Sequence, residues 1–178
     1  MRRIGVAVMA LAAVALLAGC GGGSSGNYST PKATVETMIA AAKAGNKDGM
    51  MGCFTDDARR KLTEIERLSE QVAKDVPQLA KVMNQKKDEG VRQMMEETKK
   101  AKFEFGQEKI EGSKATLEVT SNGRKETMNF VKESSGWKLD MGISDEQFEM
   151  MKKGIEMMKS MPKGLIEEGV KKGLEGLK

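Results

Sequence analysis

The spacing of apolar residues changes near residue 102 of this chain, and this change restricts the folds that it can adopt. Before that point apolar residues recur every three or four positions, as at Val35, Met38 and Ile39, which is typical of amphipathic helices. After it, apolar residues such as Leu117 and Val119 alternate with polar ones, which is typical of half-buried strands. This order predicts an α+β fold, with N-terminal helices packed on one face of a curved antiparallel sheet.

Local signals mark where the helices begin and end. Thr30 is placed to cap a first helix with Pro31 in its first turn, and Gly45-Asn46 ends that helix. A short second helix is predicted over residues 48–54, and Asp56-Asp57 is predicted to cap a third. Cys53 lies in an apolar cluster, so we expect its thiol to be buried in the core.

The strands are predicted from period-two alternation and from the turns between them. The sheet has about four strands: one that contains Phe103 and Phe105, a hairpin pair joined at Asn122-Gly123, and a last strand over residues 137–140. Asn-Gly favours a type I′ turn because both residues adopt positive φ readily. Ser144 then begins a C-terminal amphipathic helical extension, rich in methionine, over residues 144–178.

The N-terminus has the layout of a secretory signal peptide. Basic Met1-Arg2-Arg3 precedes an apolar stretch over residues 4–16, which is shorter than the about 20 residues of a membrane-spanning helix. The ending Leu17-Ala18-Gly19-Cys20 resembles the bacterial lipobox. This resemblance implies a signal peptide over residues 1–19, cleavage between Gly19 and Cys20, and diacylglyceryl and fatty acyl groups on Cys20. An ordinary cleaved signal peptide with an incidental cysteine is the alternative.

The lipid that this resemblance implies on Cys20 gives the protein a location and a first partner, the membrane. We expect a lipoprotein of the bacterial cell envelope, attached to the cell membrane or outer membrane and facing the periplasm or the exterior. Gly21, where some lipoproteins have aspartate, favours the outer membrane if the organism has one. Residues 20–29, rich in glycine and serine, are predicted to be a flexible tether.

Composition argues against several classes of function. The chain has 30 Lys and Arg residues against 26 Asp and Glu residues, and the two signs are interleaved without the basic patch that nucleic acid requires. It contains no histidine, which removes Ser-His and Cys-His dyads, His-ligated zinc and the commonest general base. We therefore expect no nucleic-acid partner, cofactor, metal site or catalytic residue, and interpret the protein as non-enzymatic.

Several segments resemble nuclear-transport-factor-2-like domains, a cystatin-like α+β family found in many small bacterial lipoproteins, often of uncharacterised function. The resemblance is carried by residues 30–38 with 44–48, by 114–119, and by 130–133 with 136–139. It implies a domain over residues 30–143, with Trp137 packed against helices. Two features depart from the family: the helical stretch 56–101 is longer, and the extension 144–178 follows the last strand.

The extension supplies most of a predicted binding surface. Met151, Ile155 and Met158 share one helical stripe, and with Trp137 they are the candidate surface for an envelope protein or a small apolar ligand. Methionine, of which the chain has 15, also fills irregular cores, so packing of the stripe within the protein is expected as well. Two alternatives stay open: a carboxylate-based enzyme with a cone-shaped pocket, to which Asp140 would belong, and Cu(I) handling by methionine sulfur.

Overall fold

The structure is a computed structural model that describes residues 26–75, 89, 92–93, 95–162 and 164. These residues belong to two compact units. The first, here the sheet unit, takes its residues from Met1–Arg59 and Gly90–Gly142, and the second, here the helix unit, from Arg60–Glu89 and Ile143–Lys178. The predicted signal peptide and Cys20 lie outside the described residues.

Two helices open the sheet unit. Helix α1 is Pro31–Ala44 and helix α2 is Lys47–Met51. The Thr30 Oγ1 accepts a hydrogen bond from the Ala33 N–H at 3.0 Å, which confirms the predicted N-cap. Helix α2 ends earlier than predicted, because residues 53–55 run along the edge of the sheet instead of continuing the helix.

Helix α3, Asp56–Asp75, begins differently from the prediction. The Thr55 Oγ1 accepts a hydrogen bond from the Ala58 N–H at 3.2 Å, so Thr55 is the N-cap. Asp56 and Asp57 lie in the first turn, where negative charge is favourable beside the positive end of the helix dipole. The prediction that Asp56-Asp57 caps this helix is therefore wrong by one residue, because the threonine hydroxyl takes that role.

The sheet is a four-stranded antiparallel meander. Its strands are β1 Phe103–Glu111, β2 Lys114–Ser121, β3 Arg124–Glu133 and β4 Gly136–Asp140, and they pair in that order. Asn122 has φ of 51° and Gly123 has φ of 77°, which confirms the predicted positive-φ turn between β2 and β3. The pairing of β1 with β2 shifts at residues 105–108, and such a bulge bends a strand. The predicted α+β class and curved antiparallel sheet are confirmed.

Helix α1 packs on one face of the sheet and forms the core of the sheet unit. The buried side chains alternate along β2, as the period-two pattern predicts. The core cluster contains Val35, Met38, Ile39, Cys53, Phe54, Ala58, Ala115, Leu117, Val119, Met128, Phe130, Trp137 and Leu139. A buried hydroxyl also joins the two layers, because the Thr34 Oγ1 donates to the Trp137 carbonyl oxygen at 2.8 Å.

The outer edge of β4 is covered by two short segments. The chain after α2 pairs with it in parallel: the Leu139 N–H donates to the Cys53 carbonyl at 2.8 Å, and the Leu139 carbonyl accepts from the Thr55 N–H at 3.1 Å. The Trp137 N–H donates to the Tyr28 carbonyl at 2.8 Å. The edge strand thus has backbone partners, and the chain is already fixed to the sheet at Tyr28.

The helix unit contains residues 60–75 of α3 and helix α4, Asp145–Ser160. The Ser144 Oγ accepts from the Gln147 N–H at 3.1 Å, and the Gln147 side chain accepts from the Ser144 N–H at 3.0 Å. This reciprocal pair confirms the predicted start of the C-terminal helix. Within the described ranges, no helix is long and apolar enough to cross a bilayer.

A buried lysine connects α3 with the start of α4. The Lys61 Nζ donates to the Ile143 carbonyl at 2.8 Å and lies 2.8 Å from a carboxylate oxygen of Asp145. A buried ammonium group is costly unless polar partners replace its water. These contacts therefore hold the first turn of α4 at α3.

Candidate functional site

Trp137, the first predicted surface residue, is part of the core of the sheet unit. Its side chain is 4% exposed, and it belongs to the cluster formed by α1 and the sheet. The Lys132 Nζ lies 5.7 Å from the centroid of its ring. Trp137 therefore packs as a core residue, and its ring presents little surface to a partner.

The other three predicted surface residues lie together on α4, in the helix unit. Ile155 is half-buried, whereas Met151 and Met158 are exposed. Exposed methionines occur throughout this segment: Met150 at 61%, Met151 at 45%, Met157 at 66%, Met158 at 42% and Met161 at 46%. Of the two roles expected for Met151 and Met158, packing within the protein does not fit their exposure, since Phe148 is the buried residue of α4.

The exposed methionines are arranged around a glycine. At 100° per residue, Met150, Met151, Met157 and Met158 point to the same side of α4 as Gly154, two before it and two after it. A Cβ built at Gly154 would meet no atom within 4 Å. We call this surface, made of Met150, Met151, Gly154, Met157 and Met158, the methionine face. It is a shallow apolar surface with a low point in its middle.

Most of the charged residues of α4 occupy the opposite arc of the helix, whereas Glu146 and Lys153 border the methionine face. The Lys152 Nζ pairs with Glu149 at 3.0 Å and lies 5.4 Å from the centroid of the Phe148 ring. Glu156 and Lys159 share this arc by helical spacing. The methionine face is therefore apolar between Met150 and Met158, and charged side chains border it on one side.

A groove lies within the sheet unit, where α1 meets β1. The groove has a volume of about 400 Å³ and opens broadly to solvent. Its lining residues are Glu36, Ile39, Ala40, Lys43, Ala101, Phe103 and Phe105. The floor is apolar, and the two charged side chains belong to one helix. Its single carboxylate, Glu36, is about half exposed and pairs with Lys32 at 3.8 Å.

Three glutamates, Glu64, Glu111 and Glu118, form ion pairs at the surface. Hydrogen bonds from Arg67, Lys109 and Lys125 lower the pKa of Glu64, Glu111 and Glu118, respectively. Asp140, the candidate acid of the enzyme alternative, is exposed, and its carboxylate accepts from the Gly142 N–H at 2.9 Å. That contact is typical of a turn residue after a strand.

Sequence reasoning missed a buried lysine in β4. Lys138 is 4% exposed, and its Nζ donates to the Gly52 carbonyl at 2.6 Å and lies 3.2 Å from the centroid of the Tyr28 ring. Burial lowers the pKa of Lys138. Strand alternation places Lys138 opposite Trp137 and Leu139, where solvent is expected, so no local signal could show that Tyr28 covers it.

The thiol beside this lysine is inert. Cys53 is fully buried, as predicted, and its Sγ donates to the Gly49 carbonyl at 3.3 Å. Burial raises the pKa of Cys53 from its usual 9.0 to about 12. A thiol that stays protonated at physiological pH and has no access to solvent is neither a nucleophile nor a metal ligand.

No cluster of three His, Cys, Asp or Glu side chains placed to hold a metal ion occurs in the part of the chain that the structure describes. Gly19 and Cys20, the predicted cleavage and lipidation site, lie outside that part. Comparisons with protein-family models, with curated proteins and with solved structures found no match.

Proposed function

We propose that this protein is a lipid-anchored, non-enzymatic binding protein of the bacterial cell envelope, which binds an amphipathic helix of a partner protein through its methionine face. The observation that carries the proposal is the set of four exposed methionines around Gly154. Lone exposed apolar residues are ordinary, but a contiguous apolar surface usually marks an interaction site.

The physical properties of this surface favour a helical partner. Methionine is unbranched and polarisable, so a methionine surface adapts to side chains of different shapes. Gly154 has no side chain, so the backbone of a partner helix can approach α4 closely at that point. Full burial of one methionine side chain contributes roughly 1.5–3 kcal/mol, and four half-exposed ones supply a useful part of a binding energy.

The anchor is proposed from the sequence. Lipid on Cys20, six residues before the first described residue, Gly26, would hold the sheet unit close to the membrane surface. Six residues of extended chain span at most about 20 Å. Mass spectrometry of the mature N-terminus tests this: we expect acyl groups on Cys20, and an unmodified N-terminus would contradict the anchor.

The test of binding is photo-crosslinking in intact cells that produce the full-length lipoprotein. A photoreactive amino acid in place of Met151 or Met157 is expected to give one discrete protein adduct. The matched control carries it in place of Glu156, on the charged arc of the same helix. Adducts at Glu156 equal to those at Met151, or adducts to lipid alone at Met151, would contradict a protein partner on this face.

A small apolar ligand is the second candidate, because the groove between α1 and β1 has an apolar floor and a volume typical of small-molecule sites. Extraction of the purified protein followed by mass spectrometry of the released lipids and metabolites distinguishes the two. A ligand that is lost on replacing Phe105 with aspartate, while crosslinking at Met151 is unchanged, would favour the groove.

A further inference from the structure

The described methionines range from exposed on α4 to buried in the core of the sheet unit, with Met51, Met95 and Met141 between these extremes. On α4 and its end they are 42–66% exposed, whereas Met38, Met50 and Met128 of the sheet unit are each 7% exposed or less. A methionine thioether reacts with peroxide wherever solvent reaches the sulfur, and the product sulfoxide is polar. The exposed methionines also make up the whole apolar part of the methionine face.

We propose that the methionine face is a site of reversible oxidation, at which conversion of its thioethers to sulfoxides switches off the binding of an apolar partner. This inference rests on the proposed function of the same face. In the forward step hydrogen peroxide transfers one oxygen atom to the sulfur, which loses two electrons, and the peroxide leaves as water. Each modified side chain then carries a strong hydrogen-bond acceptor where an apolar group was.

The reverse step needs an external dithiol. A sulfoxide and two thiols give the thioether, one disulfide and one water, which is the chemistry of methionine sulfoxide reductases. Cys53 does not supply these electrons, because its thiol is fully buried in the sheet unit. A reductase must enclose the sulfoxide side chain, and the side chains of the methionine face are open to it.

Oxidation at this face leaves the fold in place. Helix α4 begins with the reciprocal Ser144–Gln147 cap, is held at its first turn by Lys61, and buries Phe148. None of these contacts uses a methionine sulfur. A sulfoxide at Met151 or Met157 points to solvent, whereas one at Met38 would place an unpaired polar oxygen in the core. The change is therefore one of surface chemistry.

The first test measures oxidation rates residue by residue. The mature chain is treated with dilute hydrogen peroxide, quenched at intervals and digested, and each methionine is quantified by mass spectrometry. We expect Met150, Met151, Met157 and Met158 to react at least tenfold faster than Met38, with the near-ultraviolet circular dichroism of Trp137 unchanged. Rates that differ by less than twofold would overturn the proposal.

The second test asks whether oxidation removes the apolar surface and whether reduction restores it. Retention on a hydrophobic-interaction column is expected to fall after peroxide and to recover after treatment with both stereospecific methionine sulfoxide reductases and dithiothreitol. The matched control replaces the four methionines of the face with leucine, which keeps the surface apolar and removes the sulfur. Equal peroxide sensitivity of the leucine variant, or no recovery on reduction, would overturn the proposal.

These readouts separate the two hypotheses. Failure of crosslinking at Met151 in the reduced protein contradicts the proposed partner, whatever the oxidation rates. Selective and reversible oxidation that leaves crosslinking at Met151 undiminished contradicts the switch and spares the partner. With the photoreactive amino acid at position 151, we expect crosslinking to fall at least fivefold after peroxide when Met150, Met157 and Met158 are present, and to stay within twofold when these three are leucine.

Discussion

Alkaline pH should destabilise the sheet unit through the buried thiol of Cys53. In the unfolded chain this thiol has its usual pKa of 9.0, and in the fold burial raises that pKa to about 12. Between these values the unfolded state releases a proton that the folded state keeps. The folded state therefore binds more protons, and the free energy of unfolding falls as the pH rises.

The size of the effect follows from the two pKa values. The loss in the free energy of unfolding grows by about 1.4 kcal/mol for each pH unit once the thiol of the unfolded chain is ionised. Relative to neutral pH it is about half a kcal/mol at pH 9 and about 3 kcal/mol at pH 11. This is a large part of the 5–15 kcal/mol that is typical of the stability of a domain.

The assay is urea denaturation at pH 7.5, 9, 10 and 11, followed by Trp137 fluorescence. It compares two proteins that both begin at residue 20 and carry Cys20→Ser, one of them with Cys53→Ala in addition. Other groups titrate in both proteins, so the difference between the two isolates Cys53. We expect the protein that keeps Cys53 to lose about 3 kcal/mol more of its free energy of unfolding between pH 7.5 and 11 than the Cys53→Ala protein. A gap that stays constant to within 0.5 kcal/mol would refute the reasoning.

Two further substitutions test contacts at β4. Gly136→Ala should lower the free energy of unfolding by roughly 2–4 kcal/mol, because Gly136 has φ of 112° and a Cβ there would lie 2.4 Å from the Tyr28 carbonyl oxygen. Thr34→Val should lower the free energy of unfolding by about 1–3 kcal/mol, because it removes the hydroxyl that donates to the buried Trp137 carbonyl. The substitution keeps the shape of the side chain. Both are measured by urea denaturation at neutral pH.

Each of these substitutions has a matched control in the same unit. Gly112 also has positive φ, at 61°, but no atom lies within 4 Å of its Cβ position, so Gly112→Ala should cost about 1–2 kcal/mol. Thr37 makes exposed hydrogen bonds to Asn27, so Thr37→Val should cost less than Thr34→Val. Losses as large in the controls as in the two test variants would contradict the roles given to Tyr28 and Thr34.

Features fixed by local chemistry could be predicted from the sequence. The Asn122-Gly123 turn, the Thr30 cap and the burial of alternate residues in β2 depend on neighbours a few positions away. The fold class follows from these local patterns, since strands with one apolar face need helices to cover them.

Features that depend on contacts far apart in the sequence could not be predicted. Lys138 is buried because Gly52 and Tyr28 close over it, and neither is near it in sequence. Met151 and Met158 share a stripe with Ile155 as predicted, but which side of a helix is covered depends on its neighbours in space. For the same reason the candidate surface loses Trp137 and Ile155 and gains Met150, Gly154 and Met157.

The hydrogen bond between Tyr28 and Trp137 has a mechanical consequence for an anchored protein. Tyr28 lies eight residues after Cys20, so tension on a lipid there would act on the outer edge of β4 and on the neighbouring hydrogen bonds between Asn27 and Thr37 of α1. The contact of the buried Lys138 ammonium group with the Tyr28 ring would add to the resistance of this edge. Force on a membrane-bound molecule would thus be carried by hydrogen bonds at the rim of the sheet unit.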